Sequence, residues 1–294
     1  MTKKPSILIT GVSGKVGSEC YAVLKNNYDS VYDIIGTYNK HKIECQQHLD
    51  ITNIDDVNTV FSKFKPKIII HTAAIVHPPE CEKNKQLTWK TNVEAVENIV
   101  NYCKKSSCKM VYLSSDAVYE TKNSPIDELD PIRVTNYYSK TKIEAEKLVK
   151  TLNEYIIIRS SWINDANLNS KSYVMQVIRT LKEEKTFFAP IDYFGHPTLS
   201  RNLAEIIIEL IILKKSGIFN VAGSTFIDRY NFAQKIAQYF CLNSKMIKPN
   251  SSNSDGIPRP LRINLNLEKL KSQVSTKILS LDEQLEYMTS YYKS

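Results

Sequence analysis

Short apolar runs alternate with longer amphipathic stretches through the first half of the chain. Ser6, Ile7, Leu8, Ile9 and Thr10 form a β-branched run without a charge, the pattern of a strand buried on both faces. Similar runs follow at residues 32–37, 49–51, 66–74 and 110–115. Between them, helical periodicity runs from the first glycines through Leu24, then over 53–64, 87–105 and 140–150. Strand and helix in strict alternation predict a parallel sheet covered on both faces, an α/β doubly wound architecture of Rossmann type. Further helices are predicted at 171–184, at 200–213 with Ile206, Ile207, Leu210 and Ile211 buried, and at 228–240 with Asp228 as N-cap. Residues 250–258, rich in Ser, Asn, Asp and Pro, predict a loop at the mouth of the site.

The first strand runs directly into Gly11, Val12, Ser13, Gly14, Lys15, Val16 and Gly17. A strand, a glycine turn and a helix in succession form a phosphate-binding context. Gly11 permits the turn, Gly14 lets backbone amides approach a pyrophosphate, and Gly17 lets helix and strand pack closely. No carboxylate follows the second strand, where a ribose 2′-hydroxyl would need one. Asn39 and Lys40 stand there instead, beside His41 and Lys42, so a 2′-phosphate and NADPH are favoured, with NADH as the other candidate. Asp50 with Ile51 is placed to meet an adenine edge, although Asp50 could equally serve as a local cap. Ala73 and Ala74 end the next apolar run with side chains small enough for a flat ligand to lie close.

Tyr138 and Lys142 are four residues apart in a predicted helix, so they share a face. An ammonium near a phenol is expected to lower the phenol's pKa, suiting it to proton transfer near neutrality. Alone this spacing is common, and its plain reading is an aromatic and a lysine on a surface helix. Ser115 ends the run 110–115, where open parallel sheets place their ligand crevice. Its hydroxyl completes a set suited to carbonyl reduction. The serine holds the oxygen, the tyrosine protonates it, and the lysine tunes the tyrosine and meets the nicotinamide ribose.

Composition changes little in this picture. With 294 residues, 42% hydrophobic and 24% charged, the chain is expected to be an ordinary soluble protein with ample core. Its formal charge of +8 is scattered among helical Glu–Lys patterns, which excludes a clustered nucleic-acid surface. The longest apolar run, 206–213, is too short to span a bilayer and contains Glu209. Cys20, Cys45, Cys81, Cys103, Cys108 and Cys241 show no metal-ligand spacing and suit buried thiols in a reducing compartment. A cytoplasmic address without membrane, nucleic-acid or metal partners is therefore expected.

Taken together, these residues resemble the extended short-chain dehydrogenase/reductases, and most closely the dTDP-4-dehydrorhamnose reductase family, nearly end to end. Gly11, Gly14 and Gly17 resemble its cofactor turn, Asp50-Ile51 its adenine contact, and the segment 70–74 its I-H-x-A-A strand. Asn92 is similar to its helix asparagine. Ser114, Ser115 and Asp116 resemble its S-T-D segment, with Ser115 in the catalytic position. The block 131–146 resembles P-x-x-Y-G-x-S-K-x-x-x-E, with Ser139 in place of the glycine. Arg159 through Trp162 resembles R-T-S-W, residues 195–198 the G-x-P-T turn, 218–223 the Y-H-x-A-G strand, and Arg259-Pro260 a late R-P.

The resemblance implies catalysis by Ser115, Tyr138 and Lys142. It also implies cofactor contacts from Gly11, Ser13, Gly14, Lys15, Val16, Gly17, Asn39, Lys40, Asp50, Ile51, Ala73, Ala74 and Asn92, with Tyr138 and Lys142 contributing. Asp116 and Trp162 would border a sugar-nucleotide substrate. The implied reaction is NAD(P)H-dependent reduction of dTDP-4-dehydrorhamnose to dTDP-L-rhamnose. The implied layout is a Rossmann domain over 1–162, completed by about 200–223, with a smaller substrate-binding lobe from 163–199 and 224–294. A homodimer is compatible with it. Residues 75–79 depart from the family's loop, which leaves the sugar open. A different NDP-4-ketosugar is one alternative. A non-catalytic nucleotide-binding subunit like the β subunit of methionine adenosyltransferase is another, and the intact catalytic set argues against it. An epimerase or dehydratase is disfavoured because Ser115 is followed by Asp116-Ala117 instead of an Asp-Glu pair.

Overall fold

The computed structural model describes residues 4–43, 46–122, 124–252 and 256–293. Six parallel strands come from the first 159 residues: β1 (Ser6–Thr10), β2 (Asp33–Tyr38), β3 (Gln47–His48), β4 (Ile68–His71), β5 (Lys109–Leu113) and β6 (Tyr155–Arg159). A seventh, Gly217–Asn220, joins the far edge beside β6. From that edge the order is Gly217–Asn220, β6, β5, β4, β1, β2, β3. The order reverses beside β1, which places a ligand crevice over the carboxyl ends of β1 and β4.

Helices α1 (Lys15–Tyr28), α2 (Ile54–Phe64), α3 (Pro78–Lys83), α4 (Lys85–Trp89), α5 (Ala95–Ser106) and α6 (Tyr137–Val149) connect the strands. Strand alternation divides their cores. Ile7 and Ile9 pack with α1 and the helix Ser200–Ile212, whereas Leu8 packs with α2 and α5. On β6, Ile156 and Ile158 face the first layer and Ile157 the second. Each such residue buried in full contributes about 1.5–3 kcal/mol, so the sheet is rigid where it presents the site.

A third apolar cluster belongs to the later segments. It joins Val174, Ile178 and Leu181 of the helix Tyr173–Lys182 to Phe232 and Ile236 of Arg229–Tyr239 and to Leu285 near the chain's end. Short strand pairs tie these segments together: Thr198–Leu199 with Ile163–Asn164, Ile227–Asp228 with Phe194–Gly195, and Ile247–Asn250 with Phe187–Pro190. Among the described residues, no helix is long and apolar enough to cross a membrane. Of the expected loop 250–258, residues 253–255 lie outside the described residues, as does Cys45.

One helix departs from expectation. The periodic stretch 87–105 contains a π-helical turn, Lys90–Glu94, between α4 and α5. Such turns are frequent at functional sites, and this one contains the buried Asn92.

Candidate active site

The glycine turn is shaped by backbone contacts. Gly11 has φ of +75°, the left-handed region, and Gly14 N–H donates to Gly11 O at 2.9 Å. A Cβ at Gly17 would lie 2.3 Å from Gly11 O, so α1 could not pack this close with any side chain there. Gly14 caps α1 without a side chain, and the first turn carries no acidic residue. The amides and positive end of the helix dipole therefore remain available to an anion. Ser13 is exposed beside them, and Val16 is buried beneath. The Lys15 ammonium lies 3.4 Å from Ile163 O, and burial lowers its pKa.

At the carboxyl end of β5, Ser115 caps a short turn by accepting from Ala117 N–H at 3.1 Å and donates to Asp116 Oδ1 at 3.1 Å. Opposite it, α6 begins with a reciprocal cap. Asn136 Oδ1 accepts from Ser139 N–H at 2.9 Å, and Ser139 Oγ accepts from Asn136 N–H at 3.1 Å. Ser139, where the related family has glycine, is thus the second half of a capping box. Glu82 of α3 accepts from Tyr137 N–H at 2.7 Å and steadies the same turn. This rigid helix start carries Tyr138 and Lys142, both buried.

The expected electrostatics of that pair are corrected by the structure. Burial raises the Tyr138 pKa above its ordinary value; hydrogen bonding with Ser115 eases it back, while Asp116 adds to the rise. The Lys142 ammonium is directed elsewhere, donating to Leu113 O at 2.7 Å and standing 4.5 Å from the centre of the Tyr112 ring. Burial lowers its pKa to about 7, with Glu146 opposing the fall. Beneath lies His71, stacked on Tyr112 at 6.0 Å, its Nδ1 2.8 Å from Thr10 Oγ1. Burial first and Lys142 second bring the His71 pKa down to about 3, so this imidazole is neutral and leaves the lysine as the local cation.

A buried ion pair fixes α6 to the sheet. Arg159 on β6 donates to Glu146 through Nε at 2.9 Å and Nη2 at 2.6 Å, and Ser114 Oγ donates to the same carboxylate at 2.6 Å. Burial alone would raise the Glu146 pKa, but Arg159 and Ser114 hold it below the ordinary value.

Other expected cofactor residues fall in distinct places. Ala73 and Ala74 are half-buried, and Ala73 backs directly onto Gly11. Asn39 and Lys40 are exposed past β2, and Ile51 is buried. Asp50 Oδ1 accepts from Thr52 N–H at 2.9 Å and Thr52 Oγ at 2.8 Å, so the local-cap role is occupied. Asn92 is buried and held by its neighbours. Its amide exchanges hydrogen bonds with Ile75 N–H and O, each at 2.9 Å, and reaches Thr141 Oγ at 3.2 Å. It acts as a strut between the loop after β4 and α6.

Asp116 and Trp162 come together with two residues that sequence reasoning missed. Asp116 accepts from Ser161 Oγ at 2.6 Å, and burial raises its pKa against the pull of Ser161, Ser115 and Arg229. Trp162 has φ of 38° and lies across Gly195, where a Cβ would come within 2.5 Å of the indole. The Arg229 guanidinium lies 3.7 Å from the Trp162 ring centre, 4.3 Å from that of Tyr173 and 5.5 Å from that of Tyr193. Tyr193 meets Trp162 edge-on at 5.1 Å. Tyr193 stands two places before Gly195 in the recognised turn, and Arg229 directly follows the Asp228 cap. Those positions were the available signals.

Fold and site define the class: an extended short-chain dehydrogenase/reductase. The chain belongs to the RmlD substrate binding domain family, which it matches over residues 5–294. It is 29% identical to the dTDP-4-dehydrorhamnose reductase of Aggregatibacter actinomycetemcomitans over 77% of this chain and 76% of that protein. The Bacillus anthracis dTDP-4-dehydrorhamnose reductase, solved in complex with NADP, superposes with a TM-score of 0.86 at 27% identity over 99% of both chains. Methionine adenosyltransferase 2 subunit beta of Xenopus laevis is 28% identical over 90% of this chain and 81% of that one.

Proposed function

We propose that this protein reduces a nucleotide-linked 4-keto-6-deoxysugar with NADPH, dTDP-4-dehydrorhamnose to dTDP-L-rhamnose being the favoured reaction. The observation that carries this reading is the hydrogen-bonding contact of Ser115 with Tyr138, one helical turn from buried Lys142, in a chain whose first strand ends in a glycine turn built for an anion. Two similar proteins bear the reductase name, and one of them holds NADP. When bound, the cofactor supplies hydride to the sugar carbonyl. Gly11, Gly14 and the first amides of α1 would hold its pyrophosphate, and exposed Asn39 and Lys40 are placed for a 2′-phosphate. Ser115 donates a hydrogen bond to the carbonyl oxygen as charge builds there. Tyr138, kept protonated by burial, transfers its proton to that oxygen. Lys142 holds a cation beneath and favours the phenolate that proton transfer leaves.

In this reading residues 1–162 with about 200–223 carry the cofactor, and 163–199 with 224–294 close over the sugar, Asp116 and Trp162 bordering it. A homodimer belongs to the same proposal and is checked by sedimentation. The methionine adenosyltransferase relative favours a second reading, a regulatory subunit that binds nucleotide without turnover. Absorbance at 340 nm with NADPH and the dTDP-ketosugar separates the two. Steady oxidation supports the reductase; tight NADPH binding without oxidation supports the subunit.

A further inference from the structure

Trp162 Nε1 and Arg229 Nη1 are buried donors that no acceptor meets at ordinary hydrogen-bond geometry, and each makes only a loose polar contact, with Tyr193. Buried polar groups are rarely left so, and two side by side mark a place arranged for something besides packing. Tyr193 lies directly beside them. Its ring meets Trp162 edge-on at 5.1 Å, with the Arg229 guanidinium 5.5 Å away and that of Arg259 at 5.9 Å. A phenol flanked by two guanidiniums and an indole N–H is polarised towards donating its own proton in a hydrogen bond. Burial raises the Tyr193 pKa and Asp116 adds to the rise, and Tyr193 adds in turn to the rise at Tyr138, so the two phenols and Asp116 lie within electrostatic reach of one another. The absent side chain at Gly195 lets Trp162 lie flat enough to hold this arrangement.

We infer that Tyr193, oriented by Arg229 and Trp162, is a specificity-determining residue that donates a hydrogen bond to the sugar hydroxyl next to the reacting carbonyl. This rests on the reductase reading above. Of the two carbons flanking a 4-keto group in a 6-deoxyhexose, C3 carries a hydroxyl and C5 carries the C6 methyl and the ring oxygen. The 3-hydroxyl is therefore the group a second phenol beside Tyr138 would read. A site arranged around a hydroxyl discriminates against analogues lacking it far better than an apolar wall does.

The test compares wild type with Tyr193→Phe on two substrates, the dTDP-4-keto-6-deoxysugar and its 3-deoxy analogue, by NADPH oxidation. The variant should lose roughly tenfold in kcat/KM on the parent sugar and little on the 3-deoxy analogue, in line with one lost hydrogen bond. Its NADPH affinity should remain unchanged. Equal losses on both sugars, or none on either, would overturn the inference while leaving the reductase reading intact. A wild type that oxidises NADPH with neither sugar would overturn both.

Discussion

Glu146 and Arg159, on a helix and a strand separated by 13 residues, meet as a two-point ion pair with both side chains shielded from water. Through Ser114 the same carboxylate reaches the end of β5, one residue before Ser115. The pair therefore sets the distance between the hydroxyl and the phenol. Glu146→Ala strips Arg159 of its partner in the interior and should destabilise by about 3–5 kcal/mol. Urea denaturation measures the loss; a change below about 1 kcal/mol would refute the role, since that is what a surface pair is worth.

Tyr138→Phe removes the proposed proton donor and leaves the ring. Turnover should fall by about 10²–10⁴-fold, the usual contribution of a general acid. NADPH binding, followed by fluorescence titration, should stay within about twofold of wild type. Near-normal rates would dismiss Tyr138 as the donor.

Lys142 titrates near 7 in the ligand-free chain, whereas burial keeps Tyr138 protonated well beyond neutrality. If the ammonium is what favours the phenolate, kcat/KM should decline as pH rises through about 7. Lys142→Met should be slow at every pH and lack that limb. A wild-type profile flat from pH 6 to 9 would contradict the assignment.

His71 is held neutral in the fold with a pKa of about 3, whereas in the unfolded chain it takes a proton near 6.5. Below about 6.5 the unfolded state binds more protons, so stability is complete above that pH and falls as the solution is acidified. The slope is about 1.4 kcal/mol per pH unit from this residue alone. His196 contributes in the same direction, since burial also lowers its pKa. His71→Gln should flatten the fall in Tm between pH 6.5 and 5; an unchanged slope would exclude His71 as its source.

Gly17→Ala places a methyl 2.3 Å from the Gly11 carbonyl, where backbone must yield. NADPH affinity should drop by at least tenfold, about 1.4 kcal/mol. Isothermal titration decides it, and unaltered affinity would show that the turn tolerates the shift.

The sheet and the glycine turn were legible because each follows from local periodicity or spacing, as does the placing of Tyr138 and Lys142 on one helix. Ile7, Leu8 and Ile9 announce a doubly covered strand whatever lies around them. The direction of the Tyr138 shift was not legible: spacing on a helix reveals that Lys142 shares a face, but not that the ammonium turns to Leu113 O. The bonds from Asn92 to Ile75 and Thr141 were not legible either, because a π-helical turn leaves no periodic trace in five residues. Tyr193 and Arg229 escaped for a similar reason. They belong to segments joined by two-residue strand pairs, whose meeting is decided by tertiary packing and not by any repeat in the chain.

His196 in the turn after Tyr193 accepts from Leu265 N–H at 3.1 Å, while its other ring nitrogen lies 2.8 Å from Gly223 O. That imidazole rivets three distant stretches of chain to one point beside the pocket wall. A junction riveted in this way resists shear, so exchanges of side chain in the loops around it can accumulate without shifting the three stretches against one another.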